Sequence, residues 1–279
     1  MVDPRPSIAD RRRTFKQLHK DGCFVIPNPW DVGSARFLQG LGFKALATTS
    51  SGFAWSQGRP DNGISRDMAL AHLRDIVAAT DLPVNADFES GFAFDAAGVA
   101  ESVRLAVGTG VAGLSIEDST GDAARPLYEL SVAVERIRAA RAAIDQTGGD
   151  TLLVGRAECF FVGRPDLGEA IERLKAYAHA GADCLYAPGI RTREQITAVV
   201  AAVAPKPVNL LVGSTTDLTM QDISALGVRR VSVGGALARS AWGGFIRSAR
   251  LIAEQGKFDG FANAASGNEL NAFFAGDRK

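Results

Sequence analysis

The sequence predicts an α/β fold, a (β/α)8 TIM barrel formed as one domain over residues 1–279 with a helical extension at its C-terminus. Three observations carry this expectation. From residue 23 onward, short apolar runs of strand type alternate with amphipathic helical stretches, the pattern of βα units that feed a parallel sheet. The alternation repeats eight times, and no linker or shift of composition divides it. Finally, 46% hydrophobic residues in 279 can bury one large core, and barrels of ~250 residues commonly run as a single domain.

In chain order the predicted strands are Cys23–Pro27, Ala45–Thr49, Val84–Phe88, Gly113–Glu117, Leu152–Arg156, Cys184–Ala187, Val208–Val212 and Arg230–Gly234. Helices are expected over Ser65–Thr80, Val132–Thr147, Leu167–Ala180 and Thr192–Val203. Ala170, Ile171, Leu174, Tyr177 and Ala178 recur at the spacing that lays an apolar stripe along one helix face. Gly42, Gly110, Gly148, Gly181 and Gly227 follow helical stretches and lead into strands, so they read as left-handed helix ends. Those turns lie on the far face of the barrel from the strand C-termini, where function is expected. The tail Phe258–Lys279, with Phe261, Leu270, Phe273 and Phe274, is too apolar for a solvated extension and is expected to pack on something.

Bulk properties narrow the partners. Lys plus Arg number 31 and Asp plus Glu 31, so no long-range field favours nucleic acid or an anionic membrane, and a small ligand is the expected partner. Cys23, Cys159 and Cys184 lack the close spacing of zinc or redox pairs and read as reduced thiols. Arg11-Arg12-Arg13 is followed by no apolar stretch of signal length, and no window reaches the ~20 apolar residues of a membrane span. The cytoplasm is the expected compartment.

Candidate chemistry gathers where strands end. In extended backbone Asn85, Asp87 and Glu89 would project to one face of the third strand, and Glu117-Asp118 ends the fourth. With Asp61 after the Gly58-Arg59-Pro60 turn, these acids would repel one another on one rim unless a cation sits between them. Oxygen ligands at a rim suit Mg²⁺. For any single one of these acids the favoured reading is a helix cap or a solvated turn, and it is their convergence that points to a metal. Arg156 closes the fifth strand with Glu158 two residues on; it is either a fork for a substrate carboxylate or a structural ion pair with Glu158 or Glu117. Ser51-Gly52 after the second strand can offer N–H groups to an oxyanion, and Gly213-Ser214-Thr215-Thr216 with Gly234-Gly235 stands where barrels often bind phosphate. His19, His72 and His179 fall in helical patterns away from the rim, so the usual acid/base is missing there. Trp30, Trp55 and Trp242 read as pocket or core residues.

These residues resemble the isocitrate lyase/phosphoenolpyruvate mutase superfamily over nearly the whole chain. The matching stretches are Asn28-Pro29-Trp30-Asp31-Val32-Gly33-Ser34-Ala35, Thr49-Ser50-Ser51-Gly52-Phe53-Ala54, Ala86-Asp87-Phe88-Glu89-Ser90-Gly91-Phe92, Ile116-Glu117-Asp118 and Gly155-Arg156-Ala157-Glu158. The resemblance implies a barrel whose C-terminal helix is exchanged between subunits of a dimer or tetramer, rim-bound Mg²⁺ or Mn²⁺, and small 2-oxo or 2-hydroxy carboxylates handled through a pyruvate-type enolate. Carried over, Asp87 would be the principal metal ligand with Asp61, Glu89 and Glu117 around it. Ser51, Gly52, Phe53, Trp30, Asn209 and Arg156 would bind substrate, and Arg156, Glu117 and Ser51 would act in catalysis. The family's Asp-Ala-Asp reads Asn85-Ala86-Asp87, or Asp87-Phe88-Glu89 in a shifted register.

One departure matters most. Lyase members carry Lys-Lys-Cys-Gly-His after the fourth strand and mutases use Lys and Asn there, whereas Ser119–Tyr128 here holds no Cys, Lys, His or Asn. The expectation is therefore a Mg²⁺-dependent enzyme cleaving a C–C bond in an oxaloacetate-like acid. The alternatives are P–C chemistry on a phosphonopyruvate-like substrate, as mutase or hydrolase, and a non-catalytic 2-oxo-acid-binding protein.

Overall fold

The computed structural model describes residues 5–148 and 150–276. Helix α1 (Ile8–Leu18) precedes strand β1 (Phe24–Ile26), and then α2 (Val32–Gly40), β2 (Leu46–Ala47), α3 (Ser50–Ser56), α4 (Arg66–Ala79), β3 (Val84–Asp87), α5 (Ala96–Gly108) and β4 (Gly113–Glu117) follow. The chain continues through α6 (Leu130–Gln146), β5 (Leu152–Arg156), α7 (Leu167–His179), β6 (Cys184–Tyr186), α8 (Arg193–Val203), β7 (Val208–Leu211), α9 (Met220–Ala225), β8 (Arg230–Ser232), α10 (Ala236–Gln255) and α11 (Gly267–Gly276). All pairings are parallel, in the order β1-β8-β7-β6-β5-β4-β3-β2. The remaining seam, between β1 and β2, is bridged by the Ala47 N–H donating to the Pro27 carbonyl at 3.0 Å. This is the (β/α)8 barrel the alternation predicts, and the fourth and fifth strands keep their predicted bounds.

The five glycines read as helix ends all have positive φ. At Gly181 the requirement is double, because φ is +107° and a Cβ would press on the aliphatic part of Arg141. Across the N-terminal end of the barrel lies α1. Its Phe15 is fully buried against Ile26, Ala45, Ala47, Ala112 and Leu152 and plugs that end. The run Arg11-Arg12-Arg13 finds a structural use here. Arg11 donates to the Val77 and Thr80 carbonyls at 3.0 and 3.1 Å, and Arg12 to those of Val107 and Val111 at 2.9 and 3.0 Å. Two of these, Val77 and Val107, lie in the last turns of α4 and α5, where a cation meets the negative end of the helix dipole.

One expectation needs correction and another is met. The alternation that would put Glu89 on the same face as Asp87 stops at Asp87, since Glu89 adopts φ +48° and Phe92 φ +54°, so the chain has already turned. The tail packs, as expected, and its inner end returns to its own chain. Phe273 meets Phe37 of α2 with ring centroids 4.7 Å apart, and Arg36 lies over the Phe274 ring and donates to its carbonyl at 3.0 Å. By contrast α10 buries only Ala238, leaving Trp242, Phe245, Ile246 and Ile252 exposed along one side.

Of the histidines, His72 of α4 is buried and stacks on Phe53 at 3.9 Å, with no partner for Nε2. Burial pushes its pKa from 6.5 down to about 4. Between those values the unfolded chain binds a proton that folded His72 refuses, so stability falls as pH drops through this window and levels off below it. The loss amounts to about 3 kcal/mol at most. Urea midpoints at pH 7 and pH 4.5 should therefore converge in His72→Phe, which keeps the stacked ring; an unchanged pH dependence would assign the acid sensitivity elsewhere.

Candidate active site

The C-terminal rim opens into a cavity of about 780 Å³. Its centre is Arg156, delivered by the last residue of β5 and nearly closed off from solvent. The guanidinium donates from Nη1 to Asp87 Oδ1 at 2.6 Å, and from Nε and Nη2 to Glu158 Oε1 at 2.9 and 2.8 Å. Nη2 also lies 3.1 Å from Glu117, and the Tyr186 ring packs 5.0 Å beneath. Parallel register dictates this meeting, because Glu117 of β4 pairs with Arg156, and Arg156 with Tyr186. Of the two readings left open, ion pair or substrate fork, the ion pairs are present, with both proposed partners at once and Asp87 in addition.

Asp87 is held on its other side by α3. Ser50 caps it from backbone N–H and hydroxyl, both 2.9 Å from Oδ2, and Thr48 Oγ1 accepts the Asp87 N–H at 2.9 Å. Burial and like charges act on the acids around it. They push Glu89 up to about 8 and raise Asp61 and Glu117 as well, while the three carboxylates around Arg156 hold its proton firmly. Burial raises Glu158 to about 6, with Arg156 pulling the other way. Asp61, Asp87, Glu117, Arg156 and Ser51 thus come together on the cavity wall. Among the described residues no three Asp, Glu, His or Cys side chains converge tightly enough to ligate one metal ion directly.

Five expected site residues lie elsewhere. Asn209 of β7 is fully buried beneath the wall, donating to the Ser232 hydroxyl at 2.9 Å and accepting from Arg230 at 2.8 Å. Glu89 is buried behind the wall, with Oε1 lacking a partner, because the chain turns before it. The N–H groups of Gly52 and Phe53 are spent inside α3, on Thr49 Oγ1 and the Thr49 carbonyl, and the Phe53 ring faces His72. Gly52 is required for packing, since a Cβ would collide with Thr49 and Trp30. Trp30 therefore braces α3 from outside the cavity, whereas Trp55 lines it. Sequence reasoning passed over Tyr186, Ser232, Arg191, Arg230 and Arg239, all on the wall. The signal available for Tyr186, Ser232 and Arg230 was inward alternation with Asn209, since Tyr186 and Arg230 pair with it in register.

Beneath the rim a buried layer fixes Glu158. Asp118, only 2% exposed, accepts the Glu158 N–H at 2.8 Å, the Tyr177 hydroxyl at 2.5 Å and Arg173 at 3.1 Å. Arg173 also bonds Glu169 and the Tyr128 carbonyl, so α7 ties together the ends of β4 and β5 and the loop after β4. That loop closes on itself through a Ser119–Leu127 bridge, and Ser119 is its contribution to the cavity. Because Asp118→Asn leaves a buried guanidinium with less than its full countercharge, it should cost about 3 kcal/mol in urea unfolding. A cost below about 1 kcal/mol, the scale of an exposed pair, would show the layer to be dispensable.

Comparison with known proteins agrees with this geometry. A candidate lyase/mutase of Burkholderia cenocepacia J2315 has a solved structure with 48% sequence identity and a TM-score of 0.93, over 96% of this chain and 97% of that one. Oxaloacetate decarboxylase of Paraburkholderia xenovorans (strain LB400) is 30% identical over 234 residues, 81% of this chain and 75% of its own. The structure of oxaloacetate acetylhydrolase in complex with oxalate superposes with a TM-score of 0.84 at 26% identity, over 96% and 94% of the two chains. The sequence pattern of phosphoenolpyruvate phosphomutase matches residues 15–253. On this match the chain belongs to the phosphoenolpyruvate phosphomutase family, within the isocitrate lyase/PEP mutase superfamily the motifs pointed to.

Proposed function

We propose that the protein is a Mg²⁺-dependent enzyme that cleaves a C–C bond in a small 2-oxo acid of oxaloacetate type. The observation that carries this reading is the Asp87–Arg156–Glu117 constellation opening on the cavity, beside a loop, Ser119–Tyr128, that brings no Cys, Lys or His to it. Chemistry that needs charge stabilisation more than a dedicated acid is compatible with such a site. The names of two similar proteins, a decarboxylase and an acetylhydrolase of oxaloacetate, point the same way.

The donor set fits a hard cation. It is all oxygen, crowded enough to raise Asp61, Glu89 and Glu117, and the partnerless buried Glu89 Oε1 lies behind it. Asp87, Asp61 and Glu117 would hold Mg²⁺ or Mn²⁺ largely through waters, as Mg²⁺ tolerates, with Glu89 behind them adding negative charge without reaching the cavity. Once bound, such an ion supplies Lewis-acid stabilisation of developing enolate charge. The chain's own residues do the rest. Arg156, oriented by Glu158, presents a planar cation to the substrate carboxylate, and the Ser51 hydroxyl faces the same cavity as a donor. Water in the cavity supplies the late proton. P–C chemistry is the second reading, favoured by Ser214, Thr215, Thr216 and Arg191 on the wall.

The assembly and compartment belong to this proposal. Trp242, Phe245, Ile246 and Ile252 along α10 form an apolar stripe suited to a second copy of the chain, in a homo-oligomer that exchanges this helix. Free Cys23, Cys159 and Cys184 support a reducing cytoplasm, and no helix among the described residues is long and apolar enough to cross a membrane. Phe245→Asp should lower the oligomer order in sedimentation at micromolar concentration; a wild-type chain that sediments as a monomer overturns the exchange.

The decisive assay offers oxaloacetate and phosphonopyruvate separately, with Mg²⁺ and with EDTA. Mg²⁺-dependent release of CO₂ or of a C–C cleavage product is the expected result, and Asp87→Ala should reduce it about a hundredfold or more while weakening Mg²⁺ binding in calorimetry. Turnover of phosphonopyruvate alone would select the second reading. Binding of 2-oxo acids without turnover would make the protein a binder.

A further inference from the structure

The other buried arginines of the described residues spend their donors on carboxylates or on backbone carbonyls, as Arg11 does on those of Val77 and Thr80, and Arg230 does neither. Arg156 meets three carboxylates, Arg173 meets Asp118 and Glu169, and Arg136 donates to the carbonyls of Ser90, Ala93 and Phe94. Arg230, the first residue of β8, is 2% exposed and forms no ion pair among the described residues. It donates from Nε to Asn209 Oδ1 at 2.8 Å, and from Nη1 to Asn85 Oδ1 at 3.3 Å and toward His19 Nε2 at 3.4 Å. All three partners are neutral. His19 cannot supply charge of either sign, because its Nδ1 donates to the Phe15 carbonyl at 2.8 Å and burial holds the ring unprotonated. Burial is the main influence that lowers the pKa of Arg230; Cys184 and Tyr186 act in the opposite sense, and Arg156, of like sign, lowers it further.

A buried guanidinium without countercharge is costly, and a protein that retains one usually has an anion to offer it. Here the group is reachable. Arg230 lines the inner end of the cavity together with Ala47, Asn85, Ser115 and Ser232, whose side chains are small or polar, where a barrel interior is ordinarily filled with bulky aliphatic residues. Below it Phe15 closes the barrel, so the cavity ends at this cation. Along β3, Asn85 stands two residues below Asp87, so the floor lies ~6.6 Å beneath the rim. A short-chain dicarboxylate bridges that span.

We propose that Arg230 is the floor of the substrate cavity and seats a second anionic group, the distal carboxylate of a dianionic 2-oxo acid whose reacting end lies at Asp87 and Arg156. The placement of the reacting end rests on the function proposed above; the seat itself rests on Arg230, Asn85 and Asn209 alone. It would make the number of charges on the ligand, more than its length, the property the cavity selects.

The test compares wild type with Arg230→Gln, which keeps an amide for Asn209 and Asn85, and with Arg230→Lys, which keeps the charge. Calorimetry with Mg²⁺ measures 2-oxoglutarate, a dianion, against 2-oxobutyrate, a monoanion with the same 2-oxo carboxylate head. Wild type should prefer the dianion about tenfold or more. Arg230→Gln should erase that preference by weakening 2-oxoglutarate and leaving 2-oxobutyrate unchanged, and Arg230→Lys should restore part of it. No preference in wild type, or equal weakening of both ligands in Arg230→Gln, overturns the proposal. If neither 2-oxo acid binds wild type, the reading of the reacting end fails, and thermal melting with malonate, inorganic phosphate or chloride then judges the seat separately. A rise in Tm with malonate that Arg230→Gln lacks retains a dicarboxylate seat. A rise with phosphate or chloride only would identify a free inorganic anion as the occupant and overturn the substrate assignment, and no rise with any of them overturns the seat. Should Arg230→Gln fail to fold, the Arg230→Lys preference carries the comparison, its retention supporting the proposal and its complete loss opposing a charge-based seat.

Discussion

The arrangement of the site depends on one guanidinium. Arg156 stands among Asp87, Glu117 and Glu158, and without it the ends of β3, β4 and β5 would present three carboxylates to one another in a space that largely excludes water. The desolvation cost of so much charge is offset only when geometry and hydrogen bonding are complete. The surroundings supply that completion. Ser50 satisfies the far oxygen of Asp87, and Asp118 fixes the backbone of Glu158. Arg173 and Tyr177 of α7 in turn fix Asp118. A line of charge-assisted bonds therefore runs from the barrel mouth to the outer helix layer, and the position of the reactive face is set by residues that never reach it.

Much of this was legible in the sequence. Strand identity followed from apolar runs ending in acidic or glycine residues, and Gly113–Glu117 and Leu152–Arg156 kept their bounds because the two strands pair with each other along their whole length. Asp87, Glu117 and Arg156 share a cavity because each ends its strand, with Ser51 and Asp61 brought in from the segment that follows β2. What failed was local backbone geometry. Period-two reasoning carried Glu89 onto the face of Asp87, but the left-handed turn at Glu89 lies beyond anything a non-glycine residue announces. Gly52 looked like an oxyanion donor, yet its lack of a side chain answers to Trp30 and Thr49. Arg230 was invisible for a different reason. A lone arginine opening a short strand looks like a surface charge until the β7–β8 register turns it inward beside Asn209.

The two ends of the cavity carry opposite chemistry. The mouth has a surplus of carboxylates that would be relieved by a cation, and the floor has a cation that lacks an anion. Between them lie Ser115 and Ser232, neutral groups that solvate without competing. Such polarity along the barrel axis gives a ligand one preferred direction of entry, which symmetric lining could not do.

The seam between β1 and β2 has a consequence for how the chain is made. Synthesis delivers strands from β1 onward, yet β1 takes β8 as its ladder partner, through Phe24–Arg230 to Ile26–Ser232, and meets β2 across little more than the Pro27–Ala47 bond. The first strand therefore waits, unpaired along one edge, until more than 200 residues have followed it from the ribosome. Phe15 and the plug it forms with Ile26 and Leu152 cannot settle before the ring closes around them. Later still comes α11, whose Phe273 lies on α2 beside that seam, so a helix made after the whole ring fastens an early part of the barrel. Closure is thus a late, long-range step, and the nascent chain spends its synthesis as an open sheet with an apolar edge to protect.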